Sequence, residues 1–149
     1  MVDKSDYNPQ DKEVMIVTAK AKNKSRLQEL IDFARTAGYK KLGIANCKGV
    51  QPLADKLAEK LREAGFEVFA VNCRESRLQA CEISPEMSGG SCDPLSQAAY
   101  LNEKETDFNI NVGLCLGHGL LFQKYSKAEV TTFLVKDFET GHKTVEHLL

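Results

Sequence analysis

The stretch 40-KKLGIANCKGVQPLADKLAEKLREAGFEVFAVNC-73 decides the fold. KLGIANC is a short apolar run ending in Cys47, and EVFAVNC is a second one ending in Cys73. Between them Leu53, Leu57 and Leu61 recur at helical spacing, and Gly65 supplies the stop. Strand, helix and strand within about thirty residues predict a right-handed βαβ unit with parallel strands.

The same alternation continues outward. Upstream, SRLQELIDFARTAGYKK is an amphipathic helix with Leu27, Leu30, Ile31 and Ala34 on one face, Ser25 as N-cap and Gly38 as stop. EVMIVTAKA, before it, reads as a short buried strand or as a helix. Downstream, residues 74–94 hold Pro85, Pro94 and Gly89-Gly90 and read as a long loop, of the kind that belongs to a site or is mobile. PLSQAAYLNEKET is a predicted helix with Pro94 in its first turn, NINVGLCL a strand, GHGLLFQKYS a short helix and TTFLVKD a fourth strand. The tail GHKTVEHLL has room for a helical turn or two. The expectation is an α/β, Rossmann-like three-layer fold with a mostly parallel sheet of about four strands. Residues 1–12 form a polar leader, and residues 13–149 a single domain.

Composition narrows the functional classes. The 149 residues carry 42% hydrophobic and 28% charged side chains, ordinary globular usage. A formal net charge of −1 gives no footprint for nucleic acid or acidic lipid. No apolar run reaches the ~20 residues that cross a bilayer, and the amino end lacks a secretory apolar core. A cytoplasmic protein without membrane or nucleic-acid partners is expected, and its oligomeric state stays open. Five cysteines, an odd number, argue against a secreted disulfide framework.

The positions of the cysteines are the sharpest signal. Cys47, Cys73 and Cys115 end three predicted strands, and Asp137 ends the fourth. In a parallel sheet all strand carboxyl ends share one edge, where such folds bind ligands. Cys92 lies in the long loop and can fold over that edge. The predicted helix after Cys115 points its amides and positive dipole there, which favours a thiolate. Cys115-Leu116-Gly117-His118 is a C-x-x-H turn able to chelate a soft divalent metal from one loop. With Cys73 and Cys92 it makes a Cys3His set for zinc or iron, with Cys47, Asp137 and His142 as second-tier ligands. Plain packing competes for every one of these cysteines, because cysteine is among the most buried residue types. Packing is the favoured reading for Cys81. His118 has a bland alternative, a hydrogen bond to a backbone carbonyl, and His147 is expected to be solvated. The Gly117-His118-Gly119 turn lacks the Gly-Lys-Ser/Thr of a nucleotide P-loop, and no arginine follows Cys115 as a cysteine phosphatase requires.

The runs KKLGIANCKGV, GFEVFAVNCR and CDPLSQAAYLNEKETDFNINVGLCLGHGLLFQKYSKAEVTTFLVKD resemble a family of bacterial and archaeal proteins of unknown function, described as cysteine-rich and metal-binding. The resemblance covers roughly residues 25–145. It implies a metal role for Cys47, Cys73, Cys92, Cys115, His118, Asp137 and His142, and a helical segment 13–22. This chain departs from the family pattern in lacking an amino-terminal CxxC. It also carries Asp93 where the family has Asn, Gly119 where it has Asp, Phe138 where it has Arg, and Lys143-Thr144 where it has Asn-Pro.

Three functions follow as expectations. The first is a metal-binding protein with its Cys/His site at the sheet edge. The second is a thiol-redox protein using Cys115 with Cys73 or Cys92 as resolving partner. The third is a non-catalytic module that binds a small molecule or a partner at that edge.

Overall fold

The computed structural model describes residues 1–149, which divide into two compact units, Met1–Lys40 and Lys41–Leu149. The first unit is a helical pair, α1 (Pro9–Ala21) and α2 (Arg26–Thr36). The ambiguous segment 13–22 is thus helical, and the helix begins earlier than expected, inside the polar leader. Asn8 sets that start: its side-chain oxygen accepts from the Asp11 amide at 2.8 Å, and Pro9 follows at the first helical position. Ser25 caps α2 through Gln28 as its sequence foretold.

The second unit holds the sheet. Its elements are β1 (Lys41–Asn46), α3 (Gln51–Glu63), β2 (Glu67–Asn72), α4 (Pro94–Glu103), β3 (Phe108–Val112), α5 (Leu116–Tyr125) and β4 (Val130–Leu134). The four strands lie in the order β2-β1-β3-β4, all parallel. Hydrophobic residues at both faces of β1, among them Leu42, Ile44 and Ala45, are wholly buried, as expected for a parallel strand covered on two sides.

Two residues of β1 show how the helices are arranged. Gly43 and Asn46 are three positions apart and so face opposite sides of the sheet. Asn46 donates from its side chain to Gln51 at the start of α3, at 2.9 Å. A Cβ on Gly43 would instead meet Leu101 of α4 at 2.9 Å and the Asn109 side chain of β3. Therefore α3 covers one face and α4 the other. Helix α5 packs beside α4, completing a Rossmann-like three-layer arrangement. Phe122 of α5, Leu101 of α4 and Ile110 of β3 are fully buried. Each contributes about 1.5–3 kcal/mol relative to exposure. No helix is long and apolar enough to cross a membrane.

Three predicted boundaries shift. The third strand stops at Val112, so Cys115 sits beyond it as the N-cap of α5. Helix α5 begins at Leu116, one residue before the expected GHGLLFQKYS, and Gly117-His118-Gly119 lies in its first turn. The fourth strand stops at Leu134, leaving Asp137 in the segment that follows. Both strands end where their ladder partners end. Against β1, β3 is paired through residues 42–46, and β4 is paired with β3 alone.

Candidate functional site

The ladder places the thiols. Beyond the last paired residues, the Cys73 amide donates to the Asn46 carbonyl at 2.9 Å and the Cys47 amide to the Val112 carbonyl at 3.1 Å. Cys73 is therefore held beside the end of β1, and Cys47 beside the end of β3. Gln97 of α4, itself buried, locks the first of these joints. Its Nε2 donates to the carbonyls of Val71 and Asn46 at 2.9 and 3.2 Å.

Cys92 comes to Cys73 through the long loop. The loop closes on itself by a bridge between Gln79 and Gly90, with the Ser91 amide donating to the Leu78 carbonyl at 2.8 Å. The Asp93 amide then donates to the Cys73 carbonyl at 2.8 Å, and Asp93 caps α4 through the Ser96 amide at 3.0 Å. Burial pushes the Asp93 carboxyl up, but hydrogen bonds from Ser76 and Ser96 outweigh it and hold the group below its ordinary value. The two sulfurs end 3.4 Å apart, the half-buried Cys92 thiol donating to the buried Cys73. Cys73 Sγ also accepts from the Lys48 amide at 3.3 Å. Burial pushes the Cys73 thiol up to about 11, against that amide and with the help of the neighbouring Cys92 and Cys47. At neutral pH Cys73 is a protonated, shielded thiol.

A second thiol group lies along the same edge, around a residue that the cysteine and histidine pattern did not single out. Lys136, two residues past β4, donates its ammonium to Cys115 Sγ at 3.0 Å and to Cys47 Sγ at 3.2 Å. The Phe138 ring lies 5.7 Å from that ammonium, and Cys47 Sγ takes a further bond from the Gly49 amide at 3.3 Å. The hydrogen bond to Cys115 raises the Lys136 pKa, burial opposes it, and Cys47 adds to the rise. The lysine stays cationic. Gly113 makes room for this approach: at φ +69°, a Cβ there would meet Val50 at 2.7 Å and the Lys136 Cβ at 3.4 Å. No signal in the sequence marks Lys136, which falls inside the expected strand TTFLVKD.

The remaining predicted residues divide. His118 lines a cavity of about 450 Å³ together with Cys92, Leu78, Met87, Leu121 and Tyr125. Asp137 and His142 are occupied with each other's loop. His142 Nδ1 accepts the Asp137 amide at 2.9 Å, and Asp137 Oδ1 accepts the amides of Glu139 and Thr140 at 3.1 and 3.2 Å. Hydrogen bonding from Thr140 holds the Asp137 carboxyl below its ordinary value. Cys81 is exposed, in a short 3-10 turn away from any strand end. The edge thus gathers Cys73 with Cys92, and Cys47 with Cys115 through Lys136. No three His, Cys, Asp or Glu side chains stand together as a ready metal site.

Comparison with known proteins agrees with the resemblance at the level of the family. Residues 2–133 match the family described as "Protein of unknown function (DUF1847)", and the chain belongs to it. The chain is also similar to the uncharacterized protein MJ0455 of Methanocaldococcus jannaschii, with 44% identity over 126 residues. That match takes in 81% of this chain, and the chain spans 65% of the relative's length. Cys47, Cys73, Cys92, Cys115 and His118 fall within the family match, whereas Lys136, Asp137 and His142 lie beyond it.

Proposed function

We propose that this family member works by thiol–disulfide exchange at Cys73 and Cys92. The observation that carries the reading is the 3.4 Å separation of the two sulfurs at the carboxyl edge of the sheet. A disulfide would shorten that separation to ~2.05 Å. Their unequal exposure assigns the roles. Cys92, half-buried and lining a cavity, is the attacking sulfur, and Cys73, shielded and protonated, is the resolving one. In the first step Cys92 attacks one sulfur of a substrate disulfide, breaking its S–S bond and releasing one thiol. In the second, Cys73 attacks Cys92 in the mixed disulfide, releasing the other thiol and leaving Cys73 and Cys92 oxidised. The substrate is reduced by the two electrons that the protein gives up. Compared with the pairing expected from sequence, Cys115 yields the attacking role to Cys92, because it is the Cys92 sulfur that lies against Cys73.

The test is an equilibrium titration in thiol–disulfide buffers of graded potential, with free thiols trapped by a mass tag. Cys73 and Cys92 are expected to lose their tags together, at one two-electron midpoint. Separate loss, or no loss up to the most oxidising buffer, would contradict the exchange reading.

A metal reading is favoured by the same pair. Two thiolates at 2.3 Å from a tetrahedral metal lie ~3.8 Å apart, a few tenths of an ångström from the distance found. Zinc or iron held by Cys73 and Cys92 would draw further ligands from His118, which shares the Cys92 cavity, and from Cys115. Elemental analysis of protein purified without added metal checks this. The metal reading expects near-stoichiometric zinc or iron that is lost in Cys92→Ser, and metal-free protein rules it out.

A further inference from the structure

The Cys47–Lys136–Cys115 group takes no part in exchange at Cys73 and Cys92, and its chemistry differs. Cys115 is exposed and lines a cleft of about 530 Å³ that Lys136, Leu116, Leu120 and Val135 also line. Cys47 is buried. A small oxidant therefore reaches Cys115 and not Cys47. The lysine nitrogen, 3.0 Å from Cys115 Sγ, is held there by the sulfur of Cys47, by the Phe138 ring and by the space left at Gly113. An amine so placed beside a reactive sulfur is positioned to bond to it once that sulfur becomes electrophilic.

We propose that Cys115 is a hydroperoxide-reactive thiol whose oxidised sulfur is captured by Lys136 as a reversible sulfur–nitrogen link. In the first step Cys115, as the thiolate that the Lys136 ammonium faces, attacks one oxygen of hydrogen peroxide, the simplest hydroperoxide. An S–O bond forms, the O–O bond breaks, and the departing hydroxide leaves as water with a proton from the Lys136 ammonium. Cys115 is then a sulfenic acid beside a neutral amine. In the second step the Lys136 nitrogen attacks the sulfur, the S–O bond breaks, and hydroxide leaves as a second water with a proton from that nitrogen. The sulfur has lost two electrons and the hydroperoxide has gained them. Two equivalents of a small thiol reverse the link. The first displaces the amine and forms a mixed disulfide with Cys115, and the second releases Cys115 as a thiol. Capture stops the sulfur short of irreversible sulfinic acid.

The experiment uses the reduced, full chain with equimolar hydrogen peroxide, followed by digestion and peptide mass mapping. The expected product is a Cys115 peptide joined to the Lys136 peptide, lighter than their sum by two hydrogens and separated again by excess thiol. In Lys136→Met and Lys136→Arg the link is absent, a sulfenic-acid trap labels Cys115, and sulfinic acid accumulates several-fold faster. The arginine variant keeps the positive charge, so it separates a need for the amine from a need for charge. Cys115 joined to a cysteine, or passing to sulfinic acid equally fast in native and variant proteins, would overturn the proposal. A Cys73–Cys92 disulfide appears in the same map as a different peptide pair, so the two readings stand or fall separately.

Discussion

The two thiol groups at the sheet edge are built from the same residue type by the same ladder, yet they are prepared for different chemistry. On the β2 side, Cys73 is buried, receives one backbone amide and meets the Cys92 thiol, with Cys47 also near. On the β3 and β4 side, Cys115 is exposed and faces an ammonium. The difference teaches that a strand's end fixes where a sulfur sits, while the neighbour delivered by the next segment decides what the sulfur does. The long loop delivers a thiol to Cys73, and the segment after β4 delivers an amine to Cys115.

The comparison breaks most sharply in a single substitution. Cys92→Ser is expected to abolish the Cys73 disulfide completely while leaving peroxide-driven chemistry at Cys115 unchanged, as read by peptide mapping. The next effect is smaller. Lys136→Met removes the ammonium from Cys115, and iodoacetamide labelling of Cys115 near neutral pH should slow by roughly an order of magnitude. Labelling of Cys92 in the same sample should not change.

Much of this arrangement was legible in the sequence. The alternation in 40–73 carried the parallel topology, because a βαβ unit leaves its period in the apolar residues, and Cys47 and Cys73 could be set at strand ends from it. Cys92 was assigned to the edge correctly because a long loop after β2 had few other places to go. Lys136 was not legible as a site residue. A lysine following an apolar strand has the pattern of any solvated strand end, and only the packing of Val50, Gly113 and Phe138 turns it back onto the sulfurs. The second-tier metal role given to Asp137 and His142 rested on the sheet-edge reading as well as on the resemblance, and the structure shows both side chains bonded to backbone amides of one turn. The strand ends at Val112 and Leu134 were overrun because GLCL and Val135 carry the apolar run past the last paired residues.

Stability measurements sharpen the contrast further. Gly113→Ala places a Cβ against Val50 at a positive φ, and should cost about 1–3 kcal/mol in denaturant unfolding. It should also loosen Lys136 and weaken the Cys115–Lys136 link, with the Cys73–Cys92 disulfide retained. A pH effect is expected on the other side. The folded pKa of Cys73, about 11, lies above its ordinary value of 9.0. The folded state therefore holds the thiol proton more tightly than the unfolded chain does. The associated stability is fully present below 9.0 and is lost as pH rises through about 11. Urea titrations across that range should show the decline in the native protein and a flatter profile in Cys73→Ala.

The division of the edge into two thiol groups is tested most directly by mapping every sulfur linkage after mild oxidation with a small organic disulfide under anaerobic conditions. The account predicts one dominant disulfide, Cys73 to Cys92, with Cys47, Cys81 and Cys115 absent from any intramolecular cystine. A dominant linkage from Cys115 to Cys73 or Cys92, or from Cys47 to Cys73, would contradict it.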